Sequence, residues 1–91
     1  MIIRDYTIQA AEGMHARPAT TLVRLAKKYQ SSVQLKKGDR QVELNSLLNV
    51  LGLTLKFGDS VSLIIEGADE HEAAEAVDRF FQEQLKHLQS H

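Results

Sequence analysis

The 91-residue sequence predicts an α+β domain, an open-faced two-layer sandwich of order βαββαβα. Its four-stranded antiparallel sheet would carry three helices on one face. The first observation behind this is periodicity: four short stretches repeat every second residue, and three others repeat at helical spacing. The second is that strand-like stretches alternate apolar and polar residues, which suits a sheet dry on one face and wet on the other. The third is length, since a chain of this size builds one core over residues 1–91.

Residues 2–8, "IIRDYTI", place Ile2, Tyr6 and Ile8 on one face and Ile3, Asp5 and Thr7 on the other, a half-buried strand. A turn follows at "AAEG". Residues 16–29 line up Ala19, Leu22, Val23, Ala26 and Tyr29 as one helical stripe, with Arg24, Lys27 and Lys28 outside it. Pro18 fits the first turn, where its missing N–H has no internal partner to lose. "SVQLK" and "RQVEL" read as strands of a hairpin around Lys37-Gly38-Asp39. "NSLLNVLGL" reads as a short helix with Ser46 as N-cap and Gly52 near its end. "FGDSVSLIIEG" is a turn and a strand with Val61, Leu63 and Ile65 inward. From Asp69 onward a long helix buries Ala73, Val77, Phe80, Phe81, Leu85 and Leu88, while Asp69, Glu70 and Glu72 suit its N-terminal end.

Composition narrows the function. Eleven Lys and Arg against twelve Asp and Glu give a net charge of −1, which argues against a non-specific nucleic-acid binder. The strands lack the aromatic pattern of small RNA-binding α+β domains. No cysteine is present, so disulfides and thiolate metal sites are excluded. His87 and His91 are four apart, but spacing fixes no third ligand near them or near His71, so no metal site is expected. Lys27-Lys28 and Lys36-Lys37 read as solvated edges. The start, "MIIRDYTI", is broken by Arg4 and Asp5 and does not read as a signal peptide. No window approaches the ~18 apolar residues of a membrane span. A cytoplasmic, monomeric protein without membrane insertion is expected.

The stretch Gly13-Met14-His15-Ala16-Arg17-Pro18-Ala19 breaks two local rules. Helices prefer Ser, Thr, Asp or Asn as caps, and the dipole disfavours a cation in the first turn. Such breaks cluster at functional sites. With a helix starting at Ala16, His15 falls at the N-cap beside the free N–H groups of Ala16 and Arg17. Those donors, the dipole and a guanidinium suit a phosphate. The dipole also favours a neutral imidazole, whose free ring nitrogen is nucleophilic. On the residues alone two readings stand level: a phosphoryl-transfer site, or a capping histidine beside a snorkelling Arg17.

"GMHARPAT" resembles the active-site motif of the HPr family, the histidine-containing phosphocarriers of the bacterial phosphoenolpyruvate:sugar phosphotransferase system. The resemblance extends along the chain. "NSLLNVLGL" occupies the place of the family's regulatory-serine helix, and "GDSVSLIIEGADEHEAAEAV" resembles its last strand and helix, including Gly67 and Asp69. It implies a carrier, not an enzyme in its own right, that needs no cofactor. His15 would be phosphorylated through Nδ1 by phosphorylated enzyme I, Arg17 would steady the phosphate, and IIA domains of sugar permeases would receive the group. Ser46, an N-cap on its own chemistry, corresponds to the serine that HPr kinase phosphorylates, which would also bring in a catabolite-control transcription regulator. A phosphate there would add negative charge to the docking surface.

That surface is expected on Thr20, Arg24 and Lys27 of the first long helix and on Leu47, Leu48 and Leu51 of the short one. A helix so short cannot bury all three leucines, and an apolar patch rimmed by cations suits acidic partners. The chain departs from the family pattern at Glu12, Asn45 and Asn49. An alternative within the resemblance is a regulatory HPr-like paralogue acting as an interaction module in catabolite repression. Retention of His15 disfavours it.

Overall fold

The computed structural model describes residues 1–9, 13–14 and 16–89, with side chains described through Glu83. Its elements are β1 (Ile2–Thr7), α1 (Ala16–Ala26), β2 (Ser32–Lys37), β3 (Arg40–Glu43), α2 (Leu47–Leu51), β4 (Ser60–Glu66) and α3 (Glu70–Gln89). This is the βαββαβα order that the periodicity predicts.

The four strands form one antiparallel sheet in the order β1-β4-β2-β3. Register sets the faces. Leu35 pairs with Leu63 and Val33 with Ile65, so the inward residues of β2 and β4 stand side by side in the sheet centre. Val33, Leu35, Val61, Leu63 and Ile65 are all buried, against Ala19, Leu22, Val23 and Ala26 of α1 and Ala73, Val77, Phe80 and Phe81 of α3. The helices form one layer: α1 touches α2 and α3, α2 reaches β3, and α3 lies on β1 and β4. On the opposite face Asp5 accepts a hydrogen bond from the Ser62 hydroxyl (2.6 Å), and Gln41 donates to Gln34. Polar pairs of this kind suit a sheet face left to water.

Two expectations need adjusting. The α1 stripe does include Tyr29, which packs half-buried on the core, but the helix ends at Ala26. The amides of Lys28 and Tyr29 bond to carbonyls three residues back, tightening the last turn. Gly52 caps the end of α2 as expected, at φ −65°, and two residues further on Thr54 is left-handed at φ +53°. Lys37 is not a solvated edge. Its ammonium donates to the Thr54 carbonyl (2.8 Å) and the Leu53 carbonyl (3.4 Å) and pairs with Asp59 (2.8 Å). The expected burial of Leu85 and Leu88 lies beyond the described side chains.

Candidate functional site

The approach to α1 is fixed by contacts with the segment that joins α2 to β4. The Met14 amide donates to the Leu55 carbonyl (2.9 Å). Gly13 is buried at φ +74°, and a Cβ there would fall on the Leu55 carbonyl oxygen and 3.1 Å from Lys56 Cα. Glycine is therefore required for both conformation and close approach. Nearby, Gly58 donates to the Ile8 carbonyl (2.7 Å) and Ile8 donates to the Asp59 carbonyl (2.8 Å). The chain thus enters the site along a strap of backbone hydrogen bonds. His15, which follows directly, and Glu12 lie outside the described residues.

α1 begins at Ala16, where the motif places it, and its first turn carries no acidic residue. Arg17 is exposed in that turn, and its guanidinium forms no hydrogen bond or ion pair among the described residues. The next turn closes on itself: the Thr20 hydroxyl donates to the Ala16 carbonyl (2.7 Å), and that of Thr21 to the Arg17 carbonyl (3.2 Å). Thr20 is accordingly half-buried, with its hydroxyl proton engaged. Arg24 is exposed further along the helix, and Lys27 is exposed just beyond its end. A helix N-terminus with a guanidinium that has no partner among the described residues has electrostatics that favour an anion.

α2 packs against α1, so the leucines and the cations lie on adjoining helices. Leu48 is 79% exposed, whereas Leu47 and Leu51 pack half-buried on the core. One leucine therefore faces outward and two are shared with the interior. Ser46 adopts the extended conformation of an N-cap (φ −145°, ψ 127°), and its hydroxyl accepts from the Asn49 amide at 3.5 Å. The neighbouring Asn45 amide donates to Glu43 (3.4 Å).

Sequence reasoning missed the pair Lys37–Asp59. Lys37 lies in a charged dipeptide and Asp59 in a turn signal, 22 residues away by numbering, and no local pattern links them. The hydrogen bond from Lys37, reinforced by the Lys56 amide (2.8 Å), holds the Asp59 carboxyl below its ordinary range. Among the described residues no cluster of three or more His, Asp or Glu side chains could hold a metal ion. His71 is exposed near the start of α3, and the His87 side chain and His91 are outside the description. No helix among the described residues is long and apolar enough to cross a membrane.

Comparison with known proteins agrees with this architecture. Residues 2–83 match the family model described as the PTS HPr component phosphorylation site. The chain belongs to the HPr phosphocarrier family of the phosphotransferase system. It is 38% identical over 77 residues to the phosphocarrier protein HPr of Lysinibacillus sphaericus, covering 85% of this chain and 88% of that one. The crystal structure of an HPr from Thermoanaerobacter tengcongensis superposes with a TM-score of 0.88 at 30% identity, over 94% and 97% of the two chains. Crh, the catabolite repression protein of Bacillus subtilis, described as a domain-swapped dimer, gives 0.72 at 32% identity over 93% and 98%. The family's open-faced sandwich is therefore this chain's fold.

Proposed function

We propose that the chain accepts a phosphoryl group on His15 from phosphorylated enzyme I and passes it to IIA components of sugar permeases. The carrying observation is the start of α1 directly after His15, with Arg17 exposed, its guanidinium without a partner among the described residues, in a first turn free of carboxylates. In the transfer a bond forms between phosphorus and Nδ1 of neutral His15 while the bond between phosphorus and the donor group of enzyme I breaks. The reverse exchange delivers the group to a IIA domain. The helix N-terminus and Arg17 offset the charge on the non-transferring oxygens, and the partner completes the transition state. The chain needs no cofactor and catalyses no reaction alone. It works in the cytoplasm as a monomer, touching neither nucleic acid nor the membrane interior.

Thr20, Arg24, Lys27, Leu47, Leu48 and Leu51 form the docking surface in this reading. Phosphorylation of Ser46 by an HPr kinase would place negative charge beside Leu48, weaken docking to an acidic enzyme I and create a contact for a transcription regulator. Incubation with phosphoenolpyruvate and enzyme I tests the main reading. An acid-labile phosphoryl group that appears on the wild type and not on His15→Ala supports it. Absence of any transfer to the wild type overturns it. The likeness to Crh supports a second reading, a regulatory module without carrier activity. Acid-stable labelling at Ser46 by ATP and HPr kinase, without labelling at His15, is its signature.

A further inference from the structure

Two sides of the segment from Leu53 to Asp59 do different work. One side carries the approach to His15, through Met14 bonded to the Leu55 carbonyl and Gly13 packed on Leu55 and Lys56. The other side is gripped by a single side chain from the distant hairpin. The Lys37 ammonium donates to the Thr54 carbonyl (2.8 Å), reaches the Leu53 carbonyl (3.4 Å) and pairs with Asp59 (2.8 Å). Asp59 in turn accepts the Lys56 amide (2.8 Å), which closes the segment into a loop around the ion pair. Thr54, at the point Lys37 grips, holds a left-handed backbone that a β-branched residue adopts only under constraint.

We propose that Lys37 is a positioning residue for phosphoryl transfer at His15, acting through the 53–59 segment on Gly13 and Met14. This rests on the reading of His15 as the phosphoryl acceptor. Lys37 is not placed in contact with the phosphate. It keeps Thr54 in its left-handed state and so fixes the Leu55 carbonyl from which Met14 hangs. Transfer between two proteins depends chiefly on placement, and a displacement near 1 Å can cost about a hundredfold in rate. A cation is suited to the position because it can satisfy two carbonyls and a carboxylate together, which a neutral side chain of that length cannot.

The test compares wild type, Lys37→Met, Lys37→Arg and Asp59→Asn by two readouts. Hydrogen exchange at the Met14 amide reports the anchor itself and does not require any transfer activity. Steady-state phosphoryl transfer from enzyme I, split into kcat and KM, reports its consequence. In Lys37→Met, Met14 exchange should rise about tenfold relative to the amides of β4, with kcat down about tenfold and KM unchanged. Asp59→Asn should move both readouts in the same direction, and Lys37→Arg should restore most of each. Unchanged Met14 exchange in both Lys37→Met and Asp59→Asn overturns the proposal. So does a loss confined to KM, which would make Lys37 a docking contact. A wild type that accepts no phosphoryl group overturns the His15 reading separately, while accelerated Met14 exchange would still establish the anchor. If Lys37→Met does not fold, the Asp59→Asn and Lys37→Arg pair decides the matter.

Discussion

The Asp69 carboxylate holds Ser31 across 38 residues: its Oδ1 accepts the Ser31 amide (2.8 Å) and the Ser31 hydroxyl. Its other oxygen accepts the Gln30 amide (2.9 Å). One side chain at the start of α3 thereby pins the turn between α1 and β2. Gly67 lets the chain pass so near, since a Cβ there would lie 2.6 Å from Ser31 Cα.

The Ser31 hydroxyl, then the Gln30 amide, favour the charged form of Asp69 and lower its pKa. A depressed carboxylate pKa contributes stability above the ordinary value of about 3.9, and the contribution is lost as pH falls through the folded-state value. Urea unfolding of wild type and Asp69→Asn from pH 7 to pH 2 checks this. The wild type should be the more stable at neutral pH, and the two midpoints should converge in acid. Asp59, lowered by Lys37, and Glu70, lowered first by the Gly67 amide, add acid lability common to both proteins.

Tyr6 carries the opposite pH signature. Its ring stacks on Phe81 at 4.3 Å and 9°, and its hydroxyl donates to Asp78 (2.7 Å). Burial raises its pKa well above the usual value, and the hydrogen bond and charge of Asp78 add to the shift. Stability from this group is complete below pH ~10 and is lost as pH rises through the folded-state value. Tyr6→Phe keeps the stack and deletes the hydrogen bond. It should cost about 1 kcal/mol at pH 7, with the gap to wild type closing above pH 10. Unfolding midpoints at pH 7 and pH 11 measure both.

Thr54 offers a prediction of the other sign. Its φ of +53° is a left-handed conformation two residues beyond the Gly52 cap of α2, one that glycine adopts without strain. Thr54→Gly removes a left-handed penalty of about 1–2 kcal/mol and adds back part of it as chain entropy. The variant should gain several tenths of a kcal/mol or more in denaturant unfolding. A loss would show that the threonine side chain contributes packing that outweighs the strain.

The fold was legible because each element announces itself over neighbouring residues. The inward set Val61, Leu63, Ile65 and the stripe Ala19, Leu22, Val23, Ala26 follow from period alone, and all seven are buried. Ser46 was legible as a cap because its chemistry acts three residues away, on Asn49. What escaped were relations that exist only after folding. Asp69 reads locally as an acidic residue suited to a helix start, and its grip on Gln30 and Ser31 has no sequence period. Lys37 reads as half of a charged dipeptide, and its grip on Leu53, Thr54 and Asp59 depends on how the hairpin lies beside the α2–β4 segment. Gly52 was legible at the end of α2, whereas the left-handed residue beyond it, Thr54, carries no glycine to mark it.

Leu48 and Ser46 separate docking from stability. Leu48 is 79% exposed at the second position of α2, so Leu48→Ser removes almost no buried surface. Its folding stability should stay within about 0.5 kcal/mol of wild type. If Leu48 enters the enzyme I interface, burial there contributes about 1.5–3 kcal/mol, so KM for transfer should rise at least about tenfold with kcat retained. Ser46→Asp keeps an oxygen able to cap α2 and adds a charge beside Leu48. It should likewise fold normally and raise KM, and added salt should shrink its defect but not that of Leu48→Ser, because screening acts on charge alone. Transfer kinetics at two ionic strengths, with thermal unfolding as the control, decide it: an unchanged KM in both variants would remove α2 from the docking surface.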